Sequence, residues 1–285
     1  MRTITLNFVD YGANRLEIRR NRAFVPRRTE QSVIAAIERC KDVDEVEDIA
    51  VSNDLCDYCD FGALNIKTTA VLVKAVTRLL YRFPRLRSKI NYIGSKIGYL
   101  DMLRRLKKLD REVTARLGIE NIVTDYSLRE LADLCTETIE GTEYNGGQTN
   151  LLAQAFDMCG IVDAVIMDEE DFSGFGYMRF CRQLTASIRM GYHPRNCDDP
   201  AYIVYHELGH TLDTLCGICT SREFAEYYGG LTKSEIESGV SVYAATNERE
   251  FFAEAFAEYI CSPAPRETAL FMGNLLNKKY KLLGG

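Results

Sequence analysis

The chain reads as a mixed α+β protein, and three features of its 285 residues carry that reading. Short apolar runs bounded by turn residues occupy the N-terminal part and the middle. Runs with apolar residues three and four apart crowd the C-terminal half. Ser, Thr or Asn followed three residues later by Glu recurs as a helix-start signal. Composition is that of an ordinary globular protein, 46% hydrophobic and 27% charged, with length enough for a substantial core. No internal repeat interrupts it.

In chain order, "RTITLNFV" and "RLEIRRNRAFV" read as a β-hairpin turning near Gly12, Ala13 and Asn14. A short helix is expected over Gln31–Cys40, then an acidic stretch at 41–60. Ile66, Ala70, Val73, Val76, Leu80 and Phe83 recur at helical spacing, so 66–82 reads as an amphipathic helix stopped before Pro84. "KINYIG" reads as a strand and "YLDMLRRLKKLDREVTARLG" as a helix closed by Gly118. Ser127 and Glu130 box the start of "LRELADLCTETIE", and "EGTEYNGGQTN" is a polar loop. "DAVIMD", "FGYMRFCR" and "LTASIRM" are strand candidates. Gly229-Gly230 breaks the chain, Thr232 with Glu235 starts one helix, and Asn247 with Glu250 starts a longer one ended by Pro263 and Pro265. A last helix runs to about Tyr280. The division expected is an N-terminal extension, 1–60, before a larger domain, 61–285.

Net charge is −6, but the segment 66–116 carries a run of Lys and Arg with few acids. A nucleic-acid footprint is one reading. The cations fall between the apolar positions of amphipathic helices, which favours solvated helix faces instead. No run approaches membrane-spanning length, and "MRTITLNFVDYG" lacks the pattern of a secretion signal. The expectation is a protein of a bacterial cytoplasm or a virion, with its ten cysteines reduced. Cys56 and Cys59, and Cys216 and Cys219, form two CxxC pairs. Packing cysteines, a second, structural zinc or a redox dithiol all fit that spacing.

Chemistry concentrates in "YIVYHELGHTLDTLC". Two of the chain's three histidines, His206 and His210, stand one helical turn apart and can offer two imidazoles to one zinc. Glu207 can reach the position where water would sit, as general base. The apolar flanks Ile203, Val204, Leu208 and Leu212 bury the helix, and buried paired histidines need partners. The extended pattern HExxHxxGxxH has Asp213 and Cys216 at its Gly and third-His positions, so a third ligand from the same helix is excluded. A second helix offers one. In "TNEREFFAEAFAEYI" Glu250, Glu254 and Glu258 repeat every four residues, either as a solvated acidic stripe or as a ligand followed by a carboxylate that orients a ligating histidine. Ala253 and Ala257 border the stripe and permit close helix approach. Glu250 is therefore read as ligand and Glu254 as orienter. His193, before Pro194, is placed to contact substrate, but the favoured reading is a loop histidine satisfied by backbone.

"HELGHTLD" followed by "YAATNEREFFAEAF" resembles the catalytic domain of anthrax lethal factor and its relatives. These are zinc metallopeptidases of the gluzincin type, some of them carried on phage minor head or structural proteins. The resemblance covers about 190–275, and "GYHPRNCDDPAYIVYHELGH" is similar to the run-in of prophage-encoded members. It implies a zincin fold, with zinc held by His206, His210 and Glu250, Glu207 as base, and Tyr243 supporting the transition state. It implies a protein or peptide substrate, held by β-addition to an edge strand, for which "LTASIRM" is the candidate. The alternative is a phage structural or assembly protein whose zincin domain serves binding or maturation, with phage structural proteins as partners. Nucleic-acid binding is the weakest of the three readings, and a membrane is not expected.

Overall fold

The computed structural model describes residues 8–10, 16–18, 24–62, 64–104, 133, 136, 153–156, 164–167 and 177–284. It is α+β, mostly helical, with a two-stranded and a four-stranded sheet among the described residues. Strands β1 (Phe8–Asp10) and β2 (Leu16–Ile18) pair antiparallel, Phe8 opposite Ile18; the turn expected near Gly12, Ala13 and Asn14 lies outside the described residues. Helix α1 (Glu30–Ile37) starts where the Thr29 side chain accepts from the Ser32 amide.

The acidic stretch holds two elements that its charge concealed. Asp42 caps α2 (Val43–Ser52), which turns Val46 and Ala50 inward and its acids mostly outward. Strand β3 (Tyr58–Asp60) follows. Helix α3 (Ile66–Arg82) has the expected limits, with Asn65 as N-cap and a 3-10 turn over Pro84–Lys89 after it. Strand β4 (Tyr92–Ser95) begins a little later than "KINYIG" suggests, because that 3-10 turn takes Lys89. Residues 96–104 are helical; the rest of the helix expected to Gly118, the Ser127 box and the polar loop lie outside the described residues, apart from 133 and 136.

Strands β5 (Ala153–Phe156) and β6 (Ala164–Met167) complete a sheet of order β3-β4-β6-β5. The first three strands run parallel, and β5 pairs antiparallel with β6 at the edge. "DAVIMD" is thus a strand, β6. "FGYMRFCR" and "LTASIRM" are not. Tyr177–Arg189 is a single helix, α4. Its β-branched and aromatic residues suggested strands, yet Phe180 and Leu184 are buried one turn apart while Met178, Arg179 and Arg182 are exposed, a helical period.

Helices α5 (Ala201–Cys216), α6 (Arg222–Gly229), α7 (Lys233–Gly239), α8 (Glu248–Cys261) and α9 (Glu267–Leu282) follow. The Thr232–Glu235 capping box is present, and the Asn247 side chain accepts from the amides of Arg249 and Glu250. Helix α8 lies in the middle of the core: every residue from Phe251 to Glu258 is buried. It packs between α5 and α9, and α3 packs on the other side of α5. One hydrophobic core runs from Phe24 through Leu72, Val165 and Phe252 to Tyr280, so residues 24–60 share it with the helices that follow. Burial of each large apolar side chain contributes about 1.5–3 kcal/mol, which fixes α8 against α5 whatever else binds there.

Several of the described cations of the basic segment are held by partners within the protein. Arg87 is buried against Asp54 and Asp57, Arg78 donates to the Tyr205 hydroxyl, Lys74 pairs with Glu38, and Arg82 lies over the Tyr259 ring. Among the described residues no helix is long and apolar enough to cross a membrane.

Candidate metal centre

Helix α5 is unbroken from Ala201 to Cys216 and stops at Gly217, whose left-handed φ of 61° suits glycine. Asp213 and Cys216 are therefore still helical. Asp213 accepts from the Cys219 amide at 2.7 Å and pairs with Arg249, so it stabilises the helix exit. The third group of the cluster comes from α8, which runs antiparallel to α5 along two four-residue ladders. Tyr202, His206 and His210 lie on one face; Glu254 and Glu250 oppose them. The helices meet closely at Gly209, where an added Cβ would sit 3.2 Å from the Ala253 Cα and 3.1 Å from the Phe256 ring. Small residues here let the two ladders touch.

His206 Nε2 lies 3.2 Å from His210 Nε2 and 3.1 Å from Glu250 Oε2, and His210 Nε2 lies 3.4 Å from the same oxygen. Three potential ligand atoms thus face one another across a gap. Bonds of about 2.0–2.2 Å to a tetrahedral zinc place ligand atoms about 3.3–3.5 Å apart, close to this triangle. The Glu250 oxygen is buried and accepts no hydrogen bond. A carboxylate oxygen and two imidazole nitrogens turned inward, one of them orphaned, fit a cation. Among the described residues this is the one group of three or more His, Cys, Asp or Glu whose ligand atoms converge in this way.

The electrostatics agree. Burial opposes a charge on His206, but Glu250 and Glu254 outweigh it and raise its pKa to about 10. Burial likewise opposes the charge on Glu254, yet His193 and His206 hold its carboxyl down at about 2. Glu250, also against burial, is held well below the usual carboxylate range by His206 and His210. Two buried carboxylates kept ionised require a positive charge between them, a proton or a metal.

Glu254 is fully buried and is not one of the converging atoms. Its Oε1 lies 2.9 Å from His206 Nδ1, in ion-pair range though poorly aligned for a hydrogen bond, and accepts from the Tyr202 hydroxyl. Its Oε2 accepts from Ser241 Oγ at 2.7 Å. Nδ1 of His206 thus faces a carboxylate while Nε2 faces the gap, the arrangement that orients a ligating histidine. Glu250 thus stands with the two histidines, and Glu254 against His206 Nδ1. Glu258 is elsewhere, buried in a bidentate pair with Arg266.

Glu207 is half-buried on α5 beside these residues, and its charge acts on both His206 and Tyr243. Tyr243 opens a 3-10 turn, with its ring 5.8 Å from that of His206. Burial, then Glu250 and Glu207, push its hydroxyl well above the ordinary tyrosine range, so it stays a hydrogen-bond donor. Tyr227 stacks on Phe271 and Tyr228 packs against Phe251, which leaves Tyr243 as the tyrosine of the three that reaches the histidines.

Three participants escaped the sequence reading. Tyr202 precedes His206 by one turn, and that period is the signal for it. Ser241 gives no sequence signal, since only tertiary packing brings it to Glu254. His193 was expected to be satisfied by backbone; instead its Nδ1 lies 2.8 Å from the Tyr202 hydroxyl and 3.5 Å from Glu254 Oε2. The cysteine pairs do not form a four-cysteine site. Cys56 and Cys59 are buried around the start of β3. Cys216 and Cys219 close α5, where the Cys219 thiol donates to the Glu248 carbonyl. Burial and Asp213 raise the Cys216 thiol to about 12 and Cys219 higher.

No protein family matches the chain, nor does any curated protein or solved structure.

Proposed function

We propose that the protein is a zinc metallopeptidase of zincin fold, as the resemblance of "HELGHTLD" and "YAATNEREFFAEAF" to the lethal factor family implies. The observation that carries the proposal is the triangle of His206 Nε2, His210 Nε2 and Glu250 Oε2, with a general base next in sequence and a neutral phenol beside it. His206, His210 and Glu250 would hold the zinc, which when bound supplies Lewis acidity at that point.

Glu207 takes a proton from water and passes it to the leaving amine. Tyr243 donates to the oxyanion that develops on the substrate carbonyl. Glu254 keeps His206 in the tautomer with Nε2 free. The substrate strand finds its edge at β5 rather than in "LTASIRM", which is helical. Strand β5 pairs only with β6 among the described strands and lies against α5. A peptide laid along it would run past the histidines by β-addition.

Metal analysis of the purified chain, with a proteolysis screen of wild type against Glu207→Gln, tests this reading. The expected result is zinc in both proteins and cleavage by wild type alone. Zinc in both with cleavage by neither would favour the phage assembly reading. Cleavage that persists in the variant would assign the activity to a contaminant or to another base.

A further inference from the structure

The chain's third histidine has not been given a role, and the arrangement around it supplies one. The Tyr202 phenol has one proton and two polar neighbours, Glu254 Oε1 and His193 Nδ1. The hydroxyl donates to Glu254 Oε1, an oxygen of a fully buried carboxylate whose other oxygen accepts from Ser241. The Tyr202 oxygen is then an acceptor, and His193 Nδ1 must be the donor. A chain of donors follows: His193 to Tyr202, Tyr202 to Glu254, with Ser241 donating to the second oxygen of the same carboxylate. Linked donors of this kind strengthen one another away from water.

The backbone is built to deliver these donors together. The Val242 amide donates to the Gly191 carbonyl at 2.8 Å and the Tyr243 amide to the Tyr192 carbonyl at 3.1 Å. Segments 191–193 and 241–243 are thereby tied side by side, one bringing His193 and the other Ser241 to Glu254. Pro194 stiffens the exit from His193. The His193 side chain is only 14% exposed, its ring set edge-on against Tyr192 and Tyr243. A loop histidine serving solubility alone would not be enclosed by three tyrosines.

We propose that His193 is a positioning residue for the metal centre. Its Nδ1–H fixes Tyr202 and the rotation of the Glu254 carboxylate, and through Glu254 the tautomer in which His206 turns Nε2 to the metal. The inference rests on the metal site, not on peptidase turnover. It predicts that what counts at position 193 is a donor at the place of Nδ1, not a ring and not a polar group in general.

Three substitutions separate these. Asparagine carries its amide nitrogen on Cγ, where Nδ1 sits; glutamine carries it one bond further out; phenylalanine keeps the ring and has no donor. Zinc affinity, measured on the full-length chain by competition with a chromogenic chelator, should be close to wild type in His193→Asn. It should fall by about 10-fold or more in His193→Gln and His193→Phe, the scale of outer partners of ligating histidines. The visible spectrum of the cobalt-substituted protein should follow the same order. Equal zinc affinity in all four proteins would overturn the role of His193, as would equal losses in all three variants, which denote packing alone. Absence of zinc binding in wild type would overturn the metal site itself, and the inference with it.

Discussion

Replacing Glu254 with glutamine removes one negative charge from the most enclosed carboxylate of the centre while leaving its volume nearly unchanged. An amide has one acceptor end. If its oxygen takes the place of Oε1, it still accepts from Tyr202 and faces His206 Nδ1, but its NH2 then confronts the Ser241 hydroxyl, which donates to Oε2. If it turns the other way, NH2 confronts His206 Nδ1–H and Tyr202. Either way one donor is left without an acceptor, and His206 loses a charged partner 2.9 Å away. Zinc affinity should fall about 10–100-fold, or ~1.4–2.7 kcal/mol. Glu250→Ala removes one of three protein ligands and should leave no tight site. The fold should survive Glu254→Gln, because burying a neutral amide is cheaper than burying a charge, which offsets part of the lost hydrogen bonding. Chelator competition on both variants, with thermal melts as control, makes the comparison. Equal losses, or a larger loss at Glu254, would refute the assignment of ligand and orienter.

Three further outcomes follow from the same geometry. Tyr243→Phe should keep its zinc and its fold but lose about 10²–10³ in kcat with little change in KM, read by steady-state kinetics on a cleaved peptide; unchanged turnover would make the ring a packing element only. Gly209→Leu should push α5 away from Ala253 and Phe256, cost about 1–3 kcal/mol in denaturant melts and abolish tight zinc binding, since the donor triangle spans the two helices. For the metal-free protein, the Glu254 pKa lowered to about 2 gives stability that is present above the unfolded value of about 4.3 and lost as pH falls towards 2. The His206 pKa raised to about 10 gives stability that is present below about 6.5 and lost as pH rises through 10. Thermal melts across pH should therefore show an alkaline decline in metal-free protein that zinc removes, because the metal takes the proton's place.

What the sequence revealed follows how local each feature is. His206 and His210 share a face by helical period alone, and the caps at Asn65, Thr232 and Asn247 are written within three residues of the helices they start. Glu250 and Glu254 stand out because their four-residue repeat answers that of the histidines. Helix α4 was misread because Phe180, Leu184 and Ile188 mark a helical face while Thr185 and the aromatic residues argue for a strand, and the first signal prevailed in three dimensions. Helix α2 was hidden by its acids, which lie mostly on its outer side. Ser241 and His193 were beyond reach: they matter only because the 191–193 and 241–243 segments pair, and no local pattern announces that pairing.

The central claim is that His206, His210 and Glu250 hold a zinc ion, and elemental analysis of the full-length chain purified without chelator tests it most directly. One zinc per chain is predicted for wild type and equally for a Cys216→Ser/Cys219→Ser variant, with none retained in His206→Ala. A chain that carries no transition metal, or one whose metal survives His206→Ala, would contradict the account.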